Sequence, residues 1–153
     1  MTPKRIHLVF VLFIVFFASA VFAGEPRLVL VDNSMVRDTK TGLVWQLAKS
    51  PEEFDTKEKA AQYAASLDLG GYHDWRLPSL EERWDLLQVF VLKNNGGIEF
   101  PHCDNKYWTT GTDKETQPIK LGITCMCRGD QEVEYKKTGY VRAVRGGQQT
   151  GNQ

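Results

Sequence analysis

The strongest constraint on the fold is a pair of helix-start signals separated by a segment too aromatic to be a linker. Ser79 and Glu82 stand at capping-box spacing directly after Pro78. Leu80, Trp84, Leu87 and Val91 follow on one helical face, and the helix is expected to stop at Asn94-Asn95-Gly96-Gly97. Upstream, Asp55 and Glu58 repeat the spacing with Asp in place of Ser or Thr. There Ala60, Tyr63, Ala64 and Leu67 make one apolar stripe, which Leu69-Gly70-Gly71 is expected to end. Between the helices, Gly71 to Pro78 carries Tyr72 and Trp75 and is predicted to be packed. Short strands are predicted on both sides, over residues 28–31, 43–46, 106–110, 119–127, 132–136 and 139–145. Turn chemistry separates them at Asp32-Asn33-Ser34, Asp38 to Gly42, Gly111, Gly129-Asp130 and Thr138-Gly139. This order predicts one α+β domain, two helices packed on short, mostly antiparallel strands.

The N-terminus reads as an export signal. Lys4 and Arg5 precede an apolar run from Leu8 to Ala18, and Val21-Phe22-Ala23 places small residues at the −3 and −1 positions before Gly24. From Leu8 to Ala23 there are 16 residues, fewer than the roughly 20 a spanning helix needs. No Cys stands at the cleavage site to suggest a lipoprotein anchor. The expectation is a signal peptide over 1–23, a domain over 24–147 and a disordered tail over 148–153. The mature protein would be periplasmic or secreted, without a membrane span. Beyond residue 23 there are 17 basic and 19 acidic groups, a balance that excludes a strongly basic nucleic-acid binder.

Export bears on the cysteines, because an oxidising compartment permits a disulfide. Cys103, Cys125 and Cys127 allow one bridge and leave one thiol. The alternation from Ile119 to Cys127 puts Cys125 and Cys127 on the same face, with Cα atoms about 6.8 Å apart and poorly aimed for a bond. Cys103 with Cys125 is the expected bridge, with Cys127 the alternative partner. The thiols and His102 have the softness for copper or zinc, but the apolar row that holds two of them favours core or disulfide roles. Asp104-Asn105 offers too few oxygens for calcium. His73-Asp74 reads as a solvated loop pair, and Glu82 is needed as a cap. No catalytic residue, metal or cofactor is expected.

Charge is unevenly spread. From residue 24 to 100 the formal charge is −4; after residue 100 it is +2. Lys120, Arg128, Lys136, Lys137, Arg142 and Arg145 all fall in the strand-rich half, and guanidinium forks and ammonium groups suit sulfate or phosphate. Arg142 and Arg145 lie three apart, so on a regular strand they face opposite sides. Tyr72 and Tyr107 flank loops and are candidates for a stacking surface. Trp45, Trp75, Trp84 and Trp108 are expected in the core, and Arg76 is expected to anchor its loop on carbonyls or a carboxylate.

Four segments carry a resemblance: Thr41 to Trp45, Leu69 to Glu82 with its Asp74-Trp75-Arg76-Leu77-Pro78-Ser79 block, Tyr107 to Thr110, and Tyr140 to Gly147. Over residues 36–147 the chain resembles the Lcl C-terminal domain family, a bacterial domain of unknown function named for a collagen-like adhesin. The resemblance implies a C-type-lectin-like fold, distantly related to formylglycine-generating and sulfatase-modifying proteins, with first and last strands adjacent. It marks Trp45, Trp75, Arg76, Pro78 and Trp108 as structural. It also implies an exported binding role toward sulfated polysaccharides such as glycosaminoglycans. The sequence departs from the family in two respects: no collagen-like region accompanies the module, and Ala143 stands where many relatives have Cys. The Glu-Pro-Asn and Trp-Asn-Asp motifs of calcium-dependent lectins are absent after residue 100. The reading is an exported, non-enzymatic module for an anionic polysaccharide or a cell-surface partner. A thiol/copper oxidoreductase and a structural envelope protein are the alternatives.

Overall fold

The structure is a computed structural model that describes residues 25–99, 106–111, 117–123 and 131–146. Asp32 starts the first chain reversal: its Oδ1 accepts from the backbone N–H and the hydroxyl of Ser34, both at 2.7 Å. This turn joins β1 (Leu28–Leu30) to β2 (Met35–Asp38). Asp38 repeats the device, accepting from the N–H of Lys40 at 2.9 Å, and leads into β3 (Val44–Gln46).

Two further strands, β4 (Ile119–Ile123) and β5 (Gln131–Tyr135), form an antiparallel pair of their own. The last, β6 (Val144–Arg145), pairs antiparallel with β3, so the main sheet runs β1-β2-β3-β6. First and last strands therefore share a sheet but are not adjacent, because β2 and β3 lie between them. β2 itself escaped the sequence reading. Met35, Val36 and Asp38 are all buried, so this strand shows no alternation.

Two expected strands are mostly something else. In 106–110 only Tyr107 pairs, by single bridges to Ile119 and Tyr140. From Gly139 the chain crosses between the two sheets, bonding in turn to Phe54, Ser50 and Gln46 before β6 begins. Residues 124–127 lie outside the described residues.

Helix α1 (Lys57–Ala65) is capped by Thr56, whose hydroxyl accepts from the N–H of Lys59 at 3.3 Å. Asp55, expected as the cap, instead pairs with the Lys59 side chain. The helix ends at Ser66, ahead of the two glycines. Gly70 and Gly71 have φ of +63° and +73° and form the tight reversal between Leu69 and Tyr72, where the first type I′ position and its successor both need positive φ. Helix α2 (Leu80–Val91) has the full reciprocal box between Ser79 and Glu82.

The sheet lies between the helices. Its Leu28, Val36, Trp45 and Val144 pack with Leu86 and Val89 of α2. On the opposite face Met35 packs with Ala60 and Ala64 of α1, and with Trp75, Leu77, Trp108, Val141 and Ala143. α2 also serves the second sheet: Leu87 packs on Ile119 and Leu121, with Leu80 and Trp84 at the margin. This double duty explains why a single stripe misread α2. Leu86 and Val89 are buried, whereas Val91 is 38% exposed. Among the described residues no helix is long and apolar enough to cross a membrane.

Candidate functional site

The β4–β5 hairpin sets up the site. Ile119 and Leu121 turn into the core, so Lys120 between them turns outward, directly across from Glu134. Lys136 closes an ion pair with the same glutamate. The chain then passes the exposed Lys137 to Thr138, pinned on the way by the Lys136 N–H donating to the Pro118 carbonyl at 2.8 Å.

Thr138 connects this group to a second one. Its hydroxyl bonds Glu53, and Lys106 Nζ reaches both Thr138 Oγ1 at 3.1 Å and Glu53 Oε2 at 2.9 Å. The charge of Lys49 also acts on Glu53, and Lys49 Nζ lies 3.1 Å from the centre of the Tyr140 ring, within cation–π range. Lys106 and Lys49 thus act on Glu53, and Lys136 and Lys120 on Glu134. The Thr138 hydroxyl and then Lys106 hold the Glu53 carboxyl below its ordinary range, and Lys136 with Lys120 does the same for Glu134. Both glutamates stay ionised at neutral pH.

Of the residues expected to bind ligand, Lys120 and Lys136 are brought together at Glu134, with the exposed Lys137 next in the chain. Arg145 and Tyr72 meet each other instead, with Asp74, where β6 faces the Leu69–Tyr72 reversal. Tyr107 and Arg142 must be removed from any surface. Tyr107 is fully buried, and Arg142 is 1% exposed. Arg142 sits in the segment that crosses between the sheets, where Val141, Ala143 and Val144 are buried too, so neither parity reaches solvent. Its Nη1 donates to the carbonyls of Gln46 (3.1 Å) and Leu47, and its Nη2 lies 3.4 Å from the Tyr107 hydroxyl. Burial pushes this guanidinium below its ordinary pKa, with Tyr107 opposing the shift. Arg128, Cys103, Cys125 and Cys127 lie outside the described residues.

The sequence reading missed Lys49, Lys106, Glu53 and Tyr140. Each is a single residue in an irregular stretch, and tertiary backbone bonds such as Phe54–Gly139 and Lys106–Tyr140 bring them together. No local pattern could have signalled that.

The structural residues occupy the centre. Trp45, Trp75 and Trp108 are buried, as is Pro78. Trp108 Nε1 donates to the Phe54 carbonyl at 3.1 Å. The Arg76 backbone exchanges two 2.9 Å hydrogen bonds with Val144, and its guanidinium grips Glu82 at 2.7 and 2.8 Å while reaching the Gly146 carbonyl at 3.2 Å. The loop between the helices is thereby fastened to both α2 and the last strand.

This loop, its capped helix and the closing strand fall within a single family match, which spans residues 34–145. The chain belongs to the Lcl C-terminal domain family. Neither the curated proteins nor the solved structures compared with it gave a match. The matched Lcl domain runs from the turn before β2 through β6; β1, tied down by Arg27 to Asp38 and Asp85, precedes it. Chemically, the lysine face of this Lcl domain can hold anions by charge and hydrogen bonds. Among the described residues no group of three or more His, Cys, Asp or Glu is placed to hold a metal ion.

Proposed function

We propose that this Lcl domain is an exported, non-enzymatic binding module of C-type-lectin-like fold, which holds an anionic polysaccharide on its lysine face. The observation that carries the reading is the clustering of Lys106 and Lys49 about Glu53 and of Lys136 and Lys120 about Glu134, with the exposed Lys137 next in the chain. The polysaccharide association implied for the family and the export signal in the first 23 residues agree with it. An exposed ion pair contributes at most about 1 kcal/mol, so useful affinity requires several lysines acting on one polyanion. A repeating sulfated or carboxylated chain meets that requirement, and a single small anion does not. Such contacts weaken as salt screens them.

The test is chromatography on an immobilised sulfated glycosaminoglycan. Retention at low ionic strength, with elution by a salt gradient, is the expected result. The triple variant Lys120→Ala/Lys136→Ala/Lys137→Ala should elute markedly earlier with its melting temperature preserved. Passage of the unaltered protein through the column at low salt, or elution insensitive to salt, would refute the proposal.

A further inference from the structure

A concave surface with exposed carboxylates lies beside the lysine face. It is an open groove of about 620 Å³ between the loop before α1 and the exposed side of that helix, within the range of about 300–1,000 Å³ typical of small-ligand sites. Phe54 and Tyr63 line it as a pair, with ring centroids 5.3 Å apart and planes tilted by 38°. Both rings are half-buried, and both are held in place. The Phe54 backbone exchanges hydrogen bonds with Gly139 at 2.8 and 3.0 Å and accepts one from the Trp108 indole. The Tyr63 hydroxyl accepts from Gln46 Nε2 at 3.0 Å. The aromatic pair is therefore organised before any ligand arrives.

The rim is polar and rich in acceptors. Glu52, Asp55 and Gln62 are exposed along it, and Asp55 is already engaged by Lys59 at 2.9 Å. A ligand that suits this rim presents hydroxyl or ammonium donors, while one that suits the rings presents a flat face of C–H groups. A pyranose ring does both. Lys59 also lines the groove but is engaged by Asp55, so a sulfate or carboxylate would still meet the exposed Glu52 carboxylate and be repelled.

We propose that this groove is a carbohydrate subsite for a pyranose that carries no acid group, seated on Phe54 and Tyr63 and hydrogen-bonded by Glu52 and Gln62. The inference goes beyond the polyanion reading, since binding here needs no negative charge on the ligand. The two surfaces border each other through Glu53, which lines the groove and pairs with Lys106.

The experiment is a titration of the ¹⁵N-labelled mature chain, followed by amide chemical shifts. One arm uses an uncharged tetramer of N-acetylglucosamine, another a cationic tetramer of glucosamine, and a third a sulfated glycosaminoglycan tetramer. Saturable shifts at Phe54, Gln62 and Tyr63 with either unsulfated tetramer are expected. The variant Glu52→Ala/Gln62→Ala alters only exposed side chains; losing about two net hydrogen bonds should weaken that binding about tenfold. The same variant should leave the sulfated arm unchanged. Absence of groove shifts with both unsulfated tetramers, or shifts indifferent to the double variant, would overturn the inference. Failure of the sulfated arm alone would count against the lysine face and not against the groove.

Discussion

The Arg145 guanidinium lies over the Tyr72 ring, with Cζ 3.6 Å from the ring centre, and its Nε donates to Asp74 Oδ1 at 2.7 Å. The last strand is thereby locked to the reversal that follows α1. Two residues that the sequence suggests for a ligand surface spend their chemistry on each other. Arg145→Ala should lower stability by about 0.5–1 kcal/mol through the exposed cation–π contact. The pair with Asp74 adds little, because solvent screens it. Urea denaturation should show that loss, while retention on the glycosaminoglycan column stays close to that of the unaltered protein. A large loss of retention with stability intact would move the binding surface to this patch.

The same reversal provides a graded test of backbone strain. Gly71 has φ of +73° and open space where a Cβ would go, so Gly71→Ala should cost about 1 kcal/mol from conformation alone. Gly70 has φ of +63°, and a Cβ there would strike the terminal methyl and sulfur of Met35. Met35 is buried in the cluster with Trp75 and Trp108, so the flexible end of its side chain must shift within a packed core. Gly70→Ala should therefore cost clearly more, about 2–3 kcal/mol when overpacking is added to strain. Equal losses for the two variants, measured by thermal or urea unfolding, would show that the Met35 contact carries no energy.

How much of this was legible beforehand differs element by element. The Ser79–Glu82 box and the Asp32 and Asp38 turns are local signals that the structure reproduces, and the expected alternation of 119–127 is seen over Ile119 to Leu121, the part whose burial is described. The Gly70-Gly71 pair was visible too, but glycines serve helix ends and tight reversals alike, and only the earlier cap at Ser66 decides between them. Arg142 shows another kind of limit. Three-residue spacing separates it from Arg145 correctly, yet parity names no inside on a segment buried along four successive residues. The lysine face was half legible: Lys120, Lys136 and Lys137 share a hairpin, whereas Lys49 and Lys106 arrive through tertiary bridges.

Arg142 separates a structural role from a binding one. Its guanidinium ties the carbonyls of Gln46, at the end of β3, and Leu47 to the crossing segment, and an ammonium has one point of charge where the fork has several donors. Arg142→Lys should leave at least one buried carbonyl without its donor and cost about 1–3 kcal/mol. Glycosaminoglycan retention of the folded variant should not change. Unchanged stability together with weakened retention would restore Arg142 to the binding surface.

Stability should fall in acid, and two carboxylates should account for much of the fall. Burial disfavours ionisation of Glu82, but Arg76 and the Ser79 N–H outweigh it and hold the carboxyl below its ordinary range. Asp38 behaves alike: burial is opposed by Arg27, the Lys40 N–H and Thr41, and the net direction is again downward. A carboxyl whose folded pKa is depressed binds its proton more readily in the unfolded chain. Its contribution is complete above the unfolded value, about 4 for Asp and Glu, and is lost as pH falls through the folded value. The exposed carboxylates with depressed pKa values, such as Asp74 and Glu134, contribute less because solvent screens their partners. Unfolding free energy should therefore be flat from pH 7 to about 5 and drop steeply below about pH 4. Glu82→Gln should be less stable at pH 7 by about 1–3 kcal/mol, the range for a charge-assisted hydrogen bond. Because glutamine binds no proton in this range, the gap between the two proteins should narrow as pH falls toward 2. Parallel pH profiles for the two, measured by urea unfolding, would show that the Arg76–Glu82 grip does not couple protonation to folding.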